Sequence, residues 1–310
     1  LEAAVYQVKI TMQQKPYRSS IMRTFEQTLN LTDEEKTELI RLLQENYRPE
    51  NRVYRYNFFY DNCATRPRDK IEESIAGKVI YPAEPQDGSL TFRDIVHQYC
   101  KGHPWARFGI DLCIGSEADQ PITQRQMMFA PFYLMDAFDG AQIKSDSIQR
   151  PLITANELVV DATPEPDESD WMPTPLQCTL LLFILTTAAT IYGIRRRTGL
   201  WGIDLFLFGI AGIVGCVLAF LALFSQHPAV SSNFLLLVFH PGQLLFLPYI
   251  IYCVRKGKKC WYLTLNLAVL TLFIVLFPVI PQRFDFAVVP LALCLLIRSA
   301  SNLILTSKKK

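Results

Sequence analysis

Between residues 54 and 69 the chain reads Y-R-Y-N-F-F-Y-D-N-C-A-T-R-P-R-D, and its chemistry centres on Cys63. The alternating, aromatic-rich run over residues 53–59 predicts a strand. Residues 68–76 predict a short helix. Because Pro67 fits only the first turn of a helix, the start belongs near Thr65. Cys63 therefore lies where a strand ends and a helix begins. Unpaired backbone N–H groups and the helix dipole favour an anion there, which pushes a thiol toward thiolate, the nucleophilic form. An inert cysteine packed in a turn is the competing reading.

The other chemistry-bearing residues are sparse. The chain holds eight cysteines and four histidines, and no Cys-x-x-Cys or His-x-x-x-His spacing, so no metal site is expected and no cofactor is implied. Cys100 and Cys113 share the first half of the chain with Cys63; they form either a disulfide or two buried thiols. The remaining five cysteines fall in or beside apolar stretches and read as packing residues. His97 sits on a predicted helix and reads as a surface or packing residue. His103, in a loop beside Trp105, is the best resident candidate for a general base. His227 lies between two apolar stretches. His240 lies inside one, in the run Phe239-His240-Pro241-Gly242-Gln243. Polar residues beside helix breakers at that depth mark either a functional cavity or a His–Gln hydrogen bond between helices.

The run D-N-C-A-T-R-P-R-D, preceded by Y-R-Y-N-F-F-Y, resembles the signature of the Lnb family of membrane-bound lipoprotein N-acyltransferases, best known from Bacteroidota. The resemblance continues through Phe92-Arg93-Asp94, the run P-W-A-R-F-G-I-D-L from Pro104 to Leu112, Gly115 and Asp119, and into the hydrophobic half. The family is similar to papain-like acyltransferases and NlpC/P60-type hydrolases. The resemblance implies Cys63 as nucleophile, with a partner His upstream in a Gly-His-containing strand. No His precedes Cys63 here and the chain opens on Leu1, so either residues are missing ahead of Leu1 or another group acts as base. The resemblance further implies a phospholipid acyl donor and a diacylated lipoprotein acceptor. Asn62, with backbone N–H groups near Cys63 and Asp61 in support, is then a candidate oxyanion donor. Arg66 and Arg68 are candidates for the lipid phosphate, which Arg binds bidentately, with structural pairing to Asp61 or Asp69 as the alternative.

These residues need positioning elements. Thr32 and Glu35 form a capping box for a helix to about Asn46, ended by Pro49. A preceding helix is predicted over 20–29 from Ile21, Phe25 and Leu29 on one face. Thr91 and Asp94 cap another, ending near Gly102. Residues 81–89 read as a loop, 121–138 as a helix, and 148–160 as one or two strands.

Charge divides the chain. Residues 1–175 hold 19 Lys and Arg against 27 Asp and Glu, whereas 176–310 hold 12 against two. No basic patch of the kind nucleic acid needs appears in the first half. An acidic, Pro-rich linker is expected over 162–175, with Trp171 as an interfacial residue. Five apolar stretches follow, at about 176–194, 200–224, 233–254, 261–280 and 286–306, each long enough to cross a bilayer as a helix. Ten of their twelve basic residues cluster after the first, third and fifth stretches, on one side. By the positive-inside rule that side is cytoplasmic. Arg298, within the fifth stretch, is expected to snorkel toward Lys308.

The expected architecture is an α+β papain-like extracytoplasmic domain over 1–161, the linker, and an all-α bundle of five transmembrane helices over 176–310. The expected enzyme is a multi-pass protein of the bacterial cytoplasmic membrane with a periplasmic soluble domain and a cytoplasmic C-terminus. A membrane-anchored NlpC/P60-like cell-wall amidase or peptidase, and a non-catalytic membrane sensor, are the alternatives.

Overall fold

A computed structural model describes residues 9–14, 23–82, 90–145, 148–160 and 172–307. Much of the loop expected over 81–89, the linker up to Trp171, and Lys308 lie outside these residues. Two compact units emerge, and they do not follow chain order: Leu1–Ile95 with Pro121–Asp170, and Val96–Gln120 with Trp171–Lys310.

The first unit is mixed α/β. Strands β1 (Lys9–Gln14) and β2 (Arg23–Leu29) pair antiparallel, and helix α1 (Asp33–Tyr47) follows. The helix expected over 20–29 is thus a strand. Residues four apart share a face of a strand as well as of a helix, so Phe25 and Leu29 fit both periods. Pairing on both edges then selects the strand: β2 lies between β1 and β6 (Ile153–Val160). The capping box on α1 is present, Glu35 N donating to Thr32 Oγ1 and Thr32 N to Glu35 Oε2. Glu35 is also buried, where Ala76 N and Arg150 donate to it, so one carboxylate ties three segments together.

Helix α2 (Thr65–Ser74) leads into the sheet of β3 (Lys78–Ile80), β4 (Gln142–Lys144) and β5 (Gln149–Pro151), in the order β3-β4-β5. Residues 53–59 are irregular rather than a strand. Helices α3 (Phe92–Tyr99) and α4 (Pro104–Cys113) come next; α4 was not assigned from sequence. The single helix expected over 121–138 is two, α5 (Gln124–Met127) and α6 (Pro131–Asp139), because Pro131 cannot continue a helix but suits the first turn of a new one. The core gathers Leu29, Leu39, Ile71, Leu134, Phe138, Ile143 and Leu152.

The second unit spans a membrane. Helices α7 (Pro175–Arg196), α8 (Trp201–Phe224) and α13 (Val288–Ser307) are long and apolar enough to cross. Helices α9 (Pro228–Ser231) and α10 (Pro241–Leu245) are short. Helices α11 (Leu247–Lys256) and α12 (Trp261–Leu276) are bent by 111° at the break between them. The third expected span is broken at His240, which precedes Pro241. Gln243 repairs that break: its Nε2 donates to Val238 O at 2.7 Å, within its own segment and not to His240. Gly212 and Gly215 of α8 admit this kink, since a Cβ on Gly215 would lie 2.4 Å from His240 N.

Arg298 does not snorkel. It is 3% exposed, donates to Asp204 Oδ1 at 2.7 Å and Oδ2 at 3.0 Å, and reaches Thr190 Oγ1 at 3.1 Å. A charge between helices is cheaper paired inside than dragged through hydrocarbon, so α7, α8 and α13 are knotted together.

Residues Val96–Gln120 pack with these helices. Trp105 Nε1 donates to Pro173 O at 2.9 Å, just ahead of α7. Asn233 Nδ2 donates to Leu112 O at 2.7 Å, and Gln282 Nε2 to Ile114 O at 3.1 Å. Gly115 N donates to Ala229 O at 2.8 Å; a Cβ there would lie 2.7 Å from Ser232 O, so only glycine fits. Asp119 accepts from Arg283 Nε and backbone N at 3.1 and 3.0 Å.

Candidate active site

The site is built from a turn. Asn57 and Asp61 exchange two backbone hydrogen bonds of 2.9 Å, and Asn57 Oδ1 accepts from Phe59 N and Tyr60 N. The chain doubles back, and Asn62 becomes its lock. Its Oδ1 accepts from Ala64 N at 2.8 Å and Thr65 N at 2.9 Å, while its Nδ2 donates to Phe58 O at 2.9 Å and Phe129 O at 2.8 Å. Asn62 N donates to Thr65 Oγ1 at 2.8 Å. The side chain is 4% exposed and all of these bonds are internal. A neutral amide with its donors and acceptor filled is cheap to bury.

That lock changes the role expected of Asn62. Both amide hydrogens are committed to carbonyls, so Asn62 shapes the turn instead of donating to an oxyanion. It also takes the Ala64 and Thr65 amides at the start of α2. Arg66 N is used as well, donating to Asn62 O at 3.1 Å. Among the described residues, the Cys63 amide N–H finds no acceptor and is the donor that the turn leaves over.

Cys63 is exposed although both neighbours, Asn62 and Ala64, are buried. The turn joins an aromatic cluster, since Phe59 belongs to it and Phe129 O accepts from Asn62. Phe59 stacks on Phe92 with centroids 4.1 Å apart, and Phe129 meets both edge-on at 5.1 and 5.3 Å. Such pairs add about 0.5–1.5 kcal/mol each beyond the area they bury. Phe92 and Phe129 are far from the signature in sequence, and nothing local in it announces them.

Tyr56 lies near the thiol. Burial raises its phenol above the usual value, and the charges of Cys63 and Tyr54 beside it raise it further. The hydroxyl therefore stays neutral, a donor able to point at sulfur. Sequence reasoning passed over Tyr56; the signal was its place in the aromatic alternation.

The two arginines are engaged. Arg66 forms a two-pronged pair with Asp61, Nε to Oδ1 at 2.7 Å and Nη2 to Oδ2 at 3.1 Å, with its Cζ 3.3 Å above the Tyr54 ring centroid. Arg68 is buried; its Nε and Nη2 donate to Asp69 Oδ1 at 2.9 and 2.7 Å and its Nη1 to Arg125 O at 2.9 Å. The structural pairing by Asp61 and Asp69 describes both, and neither presents a free fork for a phosphate.

All four histidines belong to the second unit. His97 is not a bare surface residue: its Nε2 lies 2.8 and 3.0 Å from the two oxygens of buried Asp111. His103 stands at the N-cap of α4, His227 at that of α9 and His240 at that of α10. Cys100 and Cys113 are free thiols, both raised by burial. Among the described residues no group of three or more His, Cys, Asp or Glu is arranged to hold a metal ion.

Two family models match this chain. The one describing the Lnb N-terminal periplasmic domain matches residues 5–97, and the one describing the Lnb transmembrane domain matches residues 167–310. No curated protein and no solved structure matches it. The matched segments include the Cys63 turn at one end and the knotted membrane helices at the other: the chain belongs to the Lnb family, as a bacterial membrane protein with a periplasmic N-terminal domain.

Proposed function

We propose that this protein transfers an acyl chain from a phospholipid to the α-amino group of a lipoprotein's N-terminal diacylglyceryl-cysteine, through a thioester on Cys63. The observation that carries the reading is an exposed thiol on a turn whose flanking residues are buried and locked. Placement of this kind holds a nucleophile still while leaving it open to a large substrate.

The thiolate attacks the ester carbonyl of the donor. The tetrahedral oxyanion is within the remit of the unoccupied Cys63 N–H and the Tyr56 hydroxyl. Collapse breaks the ester C–O bond; the glycerol oxygen leaves and takes a proton, giving a lysophospholipid and the acyl-Cys63 thioester. The lipoprotein amine then attacks the thioester carbonyl, the C–S bond breaks, and an amide forms with return of the thiol and loss of one amine proton. Ping-pong kinetics follow from one nucleophile serving two substrates. Deprotonation of the thiol requires a base: the resemblance implies a His upstream of Cys63, no His precedes Cys63 in this sequence, and another group is the alternative.

In the same reading the soluble part adopts a papain-like arrangement, and the bundle crosses the cytoplasmic membrane five times, residues 233–256 forming a third crossing broken at His240 and α12 a fourth. The basic residues after α7 and between α11 and α12 face the cytoplasm, as does the C-terminus. A cell-wall amidase needs no more than one anchor, so a multi-helix membrane unit speaks for lipid substrates.

The test is replacement of Cys63 by Ser in cells that depend on this protein. Lipoproteins should then keep free N-termini, seen by mass spectrometry as one acyl chain fewer. The wild-type protein should carry a hydroxylamine-labile fatty acyl group on the peptide containing Cys63. Full acylation by the Cys63→Ser protein overturns the mechanism.

A further inference from the structure

We propose that the outward face of α4 is a membrane-interface surface, lying in the headgroup and upper acyl region of the bilayer that its own unit spans. The inference rests on the membrane-spanning reading of α7, α8 and α13, and not on acyl transfer.

Its position follows from where α4 and the residues after it are tied. Trp105 bonds to Pro173, ahead of α7; Leu112 bonds to Asn233, beyond the end of α8; Asp119 bonds to Arg283, ahead of α13. The start of α7, the end of α8 and the start of α13 are the same end of a bundle of crossing helices. Elements bonded to that end sit at the depth where the helices leave the hydrocarbon. The contact with the membrane boundary is thus continuous from the helix ends onto α4.

The composition of the outward face suits that depth. Trp105 is 42% exposed although its indole N–H is bonded, and Ala106 and Gly109 are exposed beside it. Position 109 opens on empty space: a Cβ there would meet nothing within 4 Å. The acid of the helix, Asp111, is turned inward and buried. Arg107, the one cation of α4, points to Asp285 at 3.4 Å. A ring with an apolar body and a bonded polar edge, small residues around it, an arginine at the rim and no outward acid form the pattern of an interfacial helix.

The experiment uses the full chain in bilayers, with Trp171, Trp201 and Trp261 replaced by Phe so that Trp105 alone emits. Phospholipids brominated near the glycerol end of their chains should remove roughly half of the Trp105 emission, more than lipids brominated near the methyl end, while aqueous iodide quenches weakly. Strong iodide quenching with no effect of either bromolipid overturns the proposal. If the triple replacement unfolds the protein, fluorotryptophan labelling of the unchanged chain asks the same question. The resonance lost in Trp105→Phe should broaden with dissolved oxygen more than with an aqueous nickel chelate; the reverse order overturns the proposal equally. Neither reading involves acylation, so failure here and failure of the Cys63 mechanism are separate results.

Discussion

Two of the polar knots that the described residues bury, one in each unit, are built on opposite terms. In the first unit Asn62, a neutral amide, accepts from two backbone amides and donates to two backbone carbonyls. In the membrane unit Arg298 and Asp204 bury a full ion pair, 3% and 1% exposed. An amide can be buried beside water because its bonds replace those it loses, and its rigidity is spent on aiming the next residue, Cys63, outward. In hydrocarbon no water competes, so a matched pair of charges gains strength, and leaving either one alone is costly. The neutral knot shapes the turn that carries Cys63; the charged knot joins helices.

The sharpest way to separate the two roles is at Cys63. Cys63→Ser should leave the unfolding midpoint unchanged, because the residue is exposed, yet lower acyl transfer by about 10³-fold or more, roughly 4 kcal/mol of barrier. Single-turnover transfer from a labelled phospholipid measures this. A midpoint shift as large as that of a core substitution would mean that the thiol is structural.

Next comes the charged knot. Arg298→Ala or Asp204→Ala alone should cost about 3–5 kcal/mol, read by thermal unfolding in lipid or detergent. The double replacement Asp204→Leu with Arg298→Met should recover most of that loss. Equal destabilisation by single and double variants would show that Thr190 and the local packing, not the pairing, hold the helices.

Asn62→Ala should cost about 1–3 kcal/mol through the partners it leaves unpaired, and should reduce transfer more than the stability loss explains. Asn62→Asp keeps the acceptor for Ala64 N and Thr65 N but loses both donors, so it should fall between wild type and Ala. Activity unchanged in Asn62→Ala would detach the knot from the chemistry.

A kinetic comparison comes next. At neutral pH Cys63 should alkylate faster than Cys100 or Cys113, since it is exposed whereas burial raises the other two thiols and lowers their thiolate fraction. Quantitative mass spectrometry of alkylated peptides checks the order. The smallest effect belongs to Arg66→Ala. Its pair with Asp61 is about a third exposed, so the change should cost about 1 kcal/mol or less.

How much of this was legible in the chain differs element by element. Thr32 and Glu35 announce α1 because a capping box is complete within four consecutive residues. Residues 20–29 mislead because a four-residue repeat satisfies both secondary structures, and only the neighbouring strands choose. The start of α2 near Thr65 follows from Pro67, but the stretch before it carries strand-like alternation and is instead a turn closed between Asn57 and Asp61. His97 has no local mark of its partner, fourteen residues away on another helix.

By itself the sequence determined that this is a membrane protein with an acidic first half and a cysteine ahead of a helix. Hydropathy, charge segregation and proline placement act over a few residues and need no fold to be read. Only the tertiary structure decided that Asn62 is a lock and not an oxyanion donor, because one of its partners, Phe129, is 67 residues away. It likewise decided that Arg298 is paired and buried, through an aspartate 94 residues earlier, and that Val96–Gln120 belongs with the membrane helices. Hydrogen bonds and ion pairs form between whichever groups the fold brings within about 3 Å, and that proximity is a property of packing which no local pattern encodes.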